Sequence, residues 1–205
     1  DIETQVWVYK YSGVKSCGSG NWPQMTGSPI TRPGQDYGFG IGLDLSRDGK
    51  TLAVGAPGNR VYFSNTYCNM VRIYRYTSSS WSFKFTVINP KTTINGAEST
   101  SYNNNNYWMW DGFGYAVSLN NDGSRLAVGA PFTELLNCPN HECYLAGRVS
   151  VFKLHGSSSE QMGSVLEGET VPDSFRTYWN NRNWDMHDEY SNDRFGFSLQ
   201  LHCPM

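Results

Sequence analysis

Cysteine and histidine side chains meet in one short segment, residues 138–143, which reads CPNHEC. Cys138 and Cys143 bracket a loop short enough for a local disulfide. A zinc site there would recruit His141 and also His155, but the spacing matches no standard set of zinc ligands. The residues therefore favour a disulfide over a metal site.

No grouping of residues predicts catalysis. No serine or cysteine stands in a nucleophile motif, and glycine-rich phosphate-binding signatures are absent. The acidic run DMHDEYSND offers a loop cation site, but a solvated acidic loop is the favoured interpretation. Its ligands would be Asp185, His187, Asp188, Glu189 and Asp193. The histidines, which are His141, His155, His187 and His202, lie in unrelated contexts. We expect no enzyme activity from this segment.

Aromatic residues are concentrated in two long segments rich in Asn, Asp and Arg. Large, rigid aromatic rings with a polar edge dominate protein interfaces, and they also stack on sugar rings. The alternative is that these rings fold back and cover their own sheet edges. The candidate ligand-binding residues are Tyr107, Trp108, Trp110, Tyr178, Trp179 and Trp184.

Charge and hydropathy exclude two classes of partner. The net charge of the 205 residues is -2 and basic residues are scattered, so no nucleic-acid binding is expected. No apolar run approaches the roughly 20 residues of a membrane helix, so membrane insertion is not expected. The N-terminal residues DIETQVWVYKY lack the features of a signal peptide, and we expect a mature or truncated end.

Two stretches of the chain are nearly identical: FGIGLDLSRDGKTLAVGAP at 39–57 and FGYAVSLNNDGSRLAVGAP at 113–131. A third copy begins at Phe195 as FGFSLQL. Such repetition indicates one supersecondary unit that is stacked on itself. The chain is therefore expected to be part of a repeat array.

Each unit is predicted to contain four antiparallel strands. Strand one alternates in hydropathy, an Asp-Gly pair then predicts a type I′ hairpin turn, and strand two is TLAVGAP or RLAVGAP. Strand three is VWVYKY, VRIYRY or VSVFKL, and strand four lies in WSFKFTVI from Trp81, in MGSVLEG from Met162 and, in the first unit, near Trp22. Small residues in strand two indicate burial on both faces and close backbone approach.

Four-stranded units in sequence predict an all-β fold made of β-propeller blades in an incomplete ring. Residues 1–36 would end one blade, 37–112 and 113–194 would form two complete blades, and 195–205 would begin another. The alternative is a β-sandwich with an internal duplication. Two complete blades do not close a ring, so the remainder would come from a longer chain or from other copies.

The Phe-Gly that opens strand one and the Gly-Ala-Pro that ends strand two resemble FG-GAP repeats, the blades of the integrin α-subunit propeller. The WD40 propeller is the second choice, since LSRDGKTLAVG followed by VRIYRY is similar to its repeats. Against it, no Trp-Asp closes strand three. The FG-GAP resemblance covers residues 6–201 and implies an extracellular protein.

The resemblance also implies where calcium would bind, in the loop between strands one and two. The first copy offers Asp44, Ser46 and Asp48, but Leu52 replaces the final acidic ligand. The second copy offers Ser118, Asn120 and Asp122, with Leu126 in the corresponding place. The chain resembles the branch without calcium, so no cofactor is expected, and Asp44, Asp48 and Asp122 remain weak candidates.

The long loops between strands two and three and between strands four and one are expected on one face, because strands alternate in direction. The expected function is an extracellular, non-enzymatic module that binds protein or glycan through this face. Two alternatives are a fibre or cell-surface coat subunit that shares blades with other copies, and an accessory propeller of a larger enzyme.

The remaining cysteines also favour an oxidising, extracytoplasmic compartment. Cys17 and Cys68 are candidates for a bridge between adjacent repeats, and Cys203 would then require a partner outside this segment.

The local disulfide is directly testable. Mass spectrometry of a non-reduced digest should find Cys138 linked to Cys143, because their short separation keeps both thiols together. Free thiols at both positions would contradict the prediction.

Overall fold

The computed structural model describes residues 4–12, 21–34, 36–58, 69–89, 93–94, 97–98, 111–133, 147–168, 196 and 198–201. Within these residues the chain is all-β and contains no helix, as the sequence predicts. The strands are β1 Gln5–Val6, β2 Ile30–Thr31, β3 Leu43–Leu45, β4 Thr51–Ala56, β5 Met70–Thr77, β6 Ser80–Ile88, β7 Thr93–Ile94, β8 Ala97–Glu98, β9 Ala116–Leu119, β10 Arg125–Ala130, β11 Arg148–Leu154, β12 Ser159–Gln161 and β13 Leu166–Glu167.

The strands form antiparallel sheets. The first sheet pairs β1 with β2, and a bridge between Tyr9 and Gln24 extends it. The second sheet has the order β3-β4-β5-β6, and the third has the order β9-β10-β11-β12 with β13 also beside β11. A separate small hairpin pairs β7 with β8. No described sheet closes on itself.

The second and third sheets repeat one plan, which confirms the predicted order of strands one, two and three. Leu43 pairs with Val54 in the second sheet, and Val117 pairs with Val128 at the corresponding place in the third. Strand two ends before a proline in both, since β4 stops at Ala56 and β10 at Ala130. The repeated sequence therefore corresponds to a repeated three-dimensional unit.

The fourth strand departs from the prediction in the third sheet. In the third sheet it begins at Ser159, earlier than the expected Met162, and is split into β12 and β13. Gly163, with φ of 69°, lies in the break, where an extended strand is interrupted. In the first sheet the segment 21–25, near Trp22 as predicted, pairs antiparallel with residues 8–12 through bonds such as Lys10 N–H to the Pro23 carbonyl at 3.0 Å, and Ile30–Thr31 continue the pairing.

The Asp-Gly turns are not of type I′, which corrects the prediction. Gly49 has φ of 68°, but Asp48 has no positive φ; the Gly49 N–H instead donates to the Ser46 carbonyl at 2.8 Å. Asp48 accepts from the Ser46 hydroxyl and the Lys50 N–H, and these bonds hold the chain in a longer loop. The second copy has the same turn, with Gly123 at φ 66°.

A two-residue turn with positive φ at both positions occurs elsewhere, between β5 and β6. Ser78 and Ser79 have φ of 52° and 65° and lie between the paired residues Thr77 and Ser80. This is the geometry of a type I′ hairpin, which usually selects Asn or Gly. The tight connection sets the pairing of Tyr76 with Trp81, and the register shifts by one residue further along, between Ile73 and Tyr74.

The three main sheets pack face to face, with β4 between its two neighbours. Leu52 and Val54 face the first sheet, whereas Ala53 faces the third. All six residues of β4 are buried, as its small and apolar composition predicts. The cluster between the first and second sheets contains Val6, Val8, Ile30, Phe39, Leu52, Val54, Ala56, Tyr74 and Trp81. The cluster between the second and third contains Ala53, Val71, Ile73, Phe85, Val87, Phe113, Val117, Leu119, Leu126, Val128, Ala130, Phe152 and Leu154.

Glycines of successive units lie in backbone contact. A Cβ placed on Gly55, in the Gly-Ala-Pro of the second sheet, would lie 1.9 Å from the carbonyl oxygen of Gly114, in the Phe-Gly of the third. A Cβ on Gly129 would lie equally close to the carbonyl oxygen of Gly196, in the next Phe-Gly. Within its own unit, the Gly55 carbonyl accepts from the Gly40 N–H at 2.9 Å. The two halves of the repeated signature therefore meet across the junction between units.

A second contact also recurs at the junction. The Leu119 N–H donates to Oδ2 of Asp44 in the preceding unit at 2.6 Å. The Leu201 N–H donates to Oγ of Ser118, the residue equivalent to Asp44, at 2.8 Å. Each unit therefore offers a side-chain acceptor to strand one of the unit that follows.

Gly55→Ala should destabilise the fold, because the new methyl group would require the two backbones to separate. We expect the free energy of unfolding to fall by about 1–3 kcal/mol or more, measured by urea denaturation. Gly156→Ala is the matched control: nothing lies within 4 Å of its Cβ position, and a change within about 0.5 kcal/mol is expected. Equal stability of the two variants would contradict the role assigned to Gly55.

Candidate interaction surface at the loop end of the stack

Four long unrepeated segments, 59–68, 90–110, 134–146 and 169–195, leave from one end of the stacked sheets. The pairing of Met70 with both Ala56 and Ile88 places the flanks of the first two segments together. In the third sheet, Arg148 pairs with Ala130 and Glu167 in the same way. The opposite end carries the turns at 46–50, 78–79, 120–124 and 155–158 and the flanks of segment 13–20. The prediction that the long loops share a face is confirmed for the residues that flank them.

Hydrogen bonds join these flanks to one another. The Asn89 N–H donates to the Asn69 carbonyl at 3.4 Å, and the Asn89 side-chain amide donates to Oδ2 of Asp111. The Phe132 N–H donates to the Asp111 carbonyl at 3.0 Å, and the Gly147 N–H donates to the Thr133 carbonyl at 3.2 Å. The start of one loop is thus tied to the end of another, which gives the loops a common base.

Asp111 is the polar centre of this base. Its Oδ1 accepts from the Phe113 N–H at 2.9 Å, so the carboxyl group caps the turn that carries the Phe-Gly pair. Burial raises the pKa of Asp111, while the Phe113 and Asn89 hydrogen bonds and the charge of Arg148 oppose that rise. Arg148 is itself buried and pairs with Glu167 at 2.9 Å. The flanks of the loops are therefore held by a buried carboxyl group, Asp111, that lies near the buried Arg148.

Another ion pair, with a buried carboxylate, lies at the same end of the second sheet. The fully buried Asp36 accepts from the Arg72 guanidinium, which also lies 5.4 Å from the centre of the Phe83 ring. The hydrogen bond with Asp36 raises the pKa of Arg72, so this cation stays charged. Burial raises the pKa of the neighbouring Tyr74 to about 12. The pair fixes the segment that leads into Phe39, whose N–H donates to the Asp36 carbonyl at 3.1 Å.

The predicted ligand-binding residues all lie outside the described residues. These are Tyr107, Trp108, Trp110, Tyr178, Trp179 and Trp184, and the same holds for the proposed disulfide Cys138–Cys143, for Cys17, Cys68 and Cys203, and for the acidic run 185–193. The structure describes the base from which the segments that carry the six aromatic candidates extend.

The three weak calcium candidates use their oxygens within the protein and do not form one cluster. Asp44 binds the N–H groups of Leu45 and Leu119. Asp48 lies in its own turn, where the Ser46 hydroxyl bond lowers its pKa. Asp122 lies in the adjacent turn, where the Ser124 bond lowers its pKa in the same way. Among the described residues, no group of three His, Cys, Asp or Glu side chains could hold a metal ion.

An exposed aromatic surface on the first sheet was not predicted. Trp7, Tyr9 and Tyr11 are exposed on the face opposite the buried Val6 and Val8. The rings of Trp7 and Tyr9 stack with centres 6.4 Å apart, and the Tyr11 ring lies 5.0 Å from that of the exposed Trp22. The alternation in VWVYKY carried the signal, since every second residue is aromatic.

His155 lies at the turn end, away from the loop base. Its Nε2 is 3.6 Å from Glu160, and both side chains are largely exposed. Its backbone N–H donates to the Ser158 carbonyl at 2.8 Å, within the turn between β11 and β12.

Comparisons with known proteins leave the family open. No family model matches the sequence, and no curated protein matches it. One solved structure, described as that of a hypothetical selenium-binding protein from Sulfolobus tokodaii, is 13% identical with a TM-score of 0.43. The match covers 83% of this chain, which spans 36% of the length of that structure.

In the described part of the chain, no helix has the length and apolar character needed to cross a membrane.

Asp111→Asn should change how stability depends on pH. The pKa of Asp111 is raised in the folded protein, so folding is favoured most at low pH and loses this contribution as pH rises through the folded pKa. The variant should therefore gain free energy of unfolding relative to the wild type as pH rises through the acid range, measured by urea denaturation at several pH values.

Asp122→Asn provides the control of opposite sign. The pKa of this exposed carboxyl is lowered, so its contribution appears above the unfolded pKa and is lost as pH falls. This variant should lose stability relative to the wild type as pH rises. Slopes of the same sign in both variants would contradict the assignment.

Proposed function

We propose that the chain consists of FG-GAP propeller blades and acts as an extracellular, non-enzymatic module that binds protein or glycan through its long loops. The observation that carries the proposal is the common base at Asp111, where the flanks of the loops are hydrogen-bonded to each other. Recognition residues are often placed on loops that a rigid scaffold positions.

The architecture of the scaffold supports this proposal. Glycine contacts and continuous apolar clusters lie between the sheets, whereas the sequence that varies between copies lies at the loop end. Because the repeated residues of each unit are used for packing, we expect the unrepeated residues to be the ones that recognise a ligand. Tyr107, Trp108 and Trp184 supply the ring surface that proteins and sugars both bind.

Assembly with further units is a second candidate function, and a specific observation favours it. Ile41, Leu43 and Leu45 on the second sheet are about half exposed, although they are apolar and belong to the repeat. Exposed apolar surface of this kind marks a site of interaction. This function is compatible with loop recognition, because it uses a different part of the unit.

Arrays of defined oligosaccharides and of purified extracellular proteins, probed with the fluorescently labelled chain, test loop recognition. Trp108→Ala and Trp184→Ala should each weaken the observed binding about tenfold or more, because buried aromatic rings dominate such interfaces. Their melting temperatures should stay near that of the wild type.

Arg47→Ala serves as the control, because Arg47 is exposed in the Asp-Gly turn at the opposite end. It should leave binding unchanged. Binding that is lost in Arg47→Ala but kept in both tryptophan variants would contradict the proposal, as would the absence of binding on both arrays.

A further inference from the structure

The second sheet exposes an apolar surface formed by Leu43 and Leu45, here called the floor, whereas the equivalent surface of the third sheet is buried. Leu43 and Leu45 are 49% and 43% exposed, whereas the equivalent Val117 and Leu119 are 8% and 6% exposed. Ile41, two residues before Leu43, is 52% exposed. The same repeat position is therefore covered in one unit and open in the other.

The structure shows what covers this position in the third sheet. Val117 and Leu119 pack in one cluster with Ala53 of β4. At the same junction Gly114 contacts Gly55. The cover is thus the β3–β4 hairpin of the preceding unit, made of strands one and two.

The first sheet has an open edge beside this floor. Among the described residues β1 pairs only with β2. Alternate residues of β1 and its continuation bond toward the fourth strand, as when the Lys10 N–H donates to the Pro23 carbonyl. Trp7 and Tyr9 alternate with those residues, so their N–H and carbonyl groups point away from the fourth strand. In the second sheet, the strand equivalent to β1 is paired on that side with β4. The open edge therefore matches the place of a strand two.

Two groups that contact the preceding unit elsewhere in the repeat lack that contact in the second sheet. They are Gly40 and the Leu45 N–H. Gly40 has φ of 91°, like Gly114, but a Cβ there would meet only the side chain of Val6 at 3.4 Å, whereas one on Gly114 would meet the Met70 carbonyl at 2.7 Å. The Leu45 N–H donates to Asp44 of its own unit at 2.9 Å. The equivalent N–H groups of Leu119 and Leu201 instead donate to the preceding unit.

We propose that the cleft between β1 and β3 is a docking site for a β-hairpin of the same repeat, supplied by a chain segment other than residues 4–201. The hairpin would add a strand to the edge of β1 and cover Leu43 and Leu45. Its chemistry follows from the existing junctions: a Gly against Gly40, small residues over the floor, and an Asp or Ser side chain that accepts from the Leu45 N–H.

A second intact copy is a poorer occupant, because its own hairpins are already used. Asp44 of the first hairpin binds Leu119, and Ser118 of the second binds Leu201. The site also lies apart from the loop base, so it does not depend on what the loops bind.

A synthetic peptide with the sequence of residues 39–57 is the probe, because this hairpin makes the equivalent contact inside the chain. It should bind the whole 205-residue chain saturably at one peptide per chain in isothermal titration calorimetry. Hydrogen exchange should show new protection at the backbone amides of Trp7 and Tyr9.

Matched variants on both sides define the contact. A peptide that carries Gly55→Ala should bind at least about tenfold more weakly, because its methyl group would meet the Gly40 backbone. In the protein, Leu43→Asp should weaken binding by a similar factor. Ile88→Asp, an exposed position on β6, should leave binding unchanged.

Three outcomes would overturn the proposal. These are the absence of saturable binding, equal binding of the wild-type and Gly55→Ala peptides, and self-association of the chain that Leu43→Asp abolishes while the peptide fails to bind. The last outcome would assign the site to a second copy.

Discussion

The contact between the backbones of Gly55 and Gly114 is the constraint on which the packing of these sheets depends. No side chain fits between them, so the two units approach until peptide groups touch. The same contact recurs between Gly129 and Gly196. Because one glycine of each pair belongs to Phe-Gly and the other to Gly-Ala-Pro of the preceding unit, both halves of the signature are needed at every junction. This requirement gives a physical reason for their joint repetition.

Strand order, strand boundaries at the prolines and burial of β4 could be predicted, because they depend on local alternation, small residues and repetition. The positive φ at Ser78 and Ser79 could not, since serine has no strong preference for that geometry and strand pairing imposes it. Leucine is typical of a core position, so the sequence alone does not indicate that Leu43 is exposed. Its exposure depends on whether a neighbouring unit covers it. At the candidate site, the aromatic character of Trp108 is visible in the sequence, whereas the role of Asp111 arises from contacts between segments.

The two ends of the stack use different interactions. At the turn end, the exposed side chains of Asp48 and Asp122 bond within their own turns, and the Asp48 N–H donates to the Asn121 carbonyl of the adjacent turn at 3.2 Å. At the loop end, Asp36 is buried with Arg72, and Asp111 lies near the buried Arg148. Removing one partner of a buried charge leaves the other without compensation, which is costly. The base of the loops is therefore tied to the stability of the fold, although the loop sequences are not repeated.

The layer between the second and third sheets is filled by residues of different size. At strands one and two the spacers are Gly42, Ala53 and Gly55, whereas the outer strands are held apart by rings such as Phe85 and Phe152. Because Gly129 repeats the glycine contact at the next junction, a side chain added at either position would separate strand two of one unit from strand one of the unit that follows.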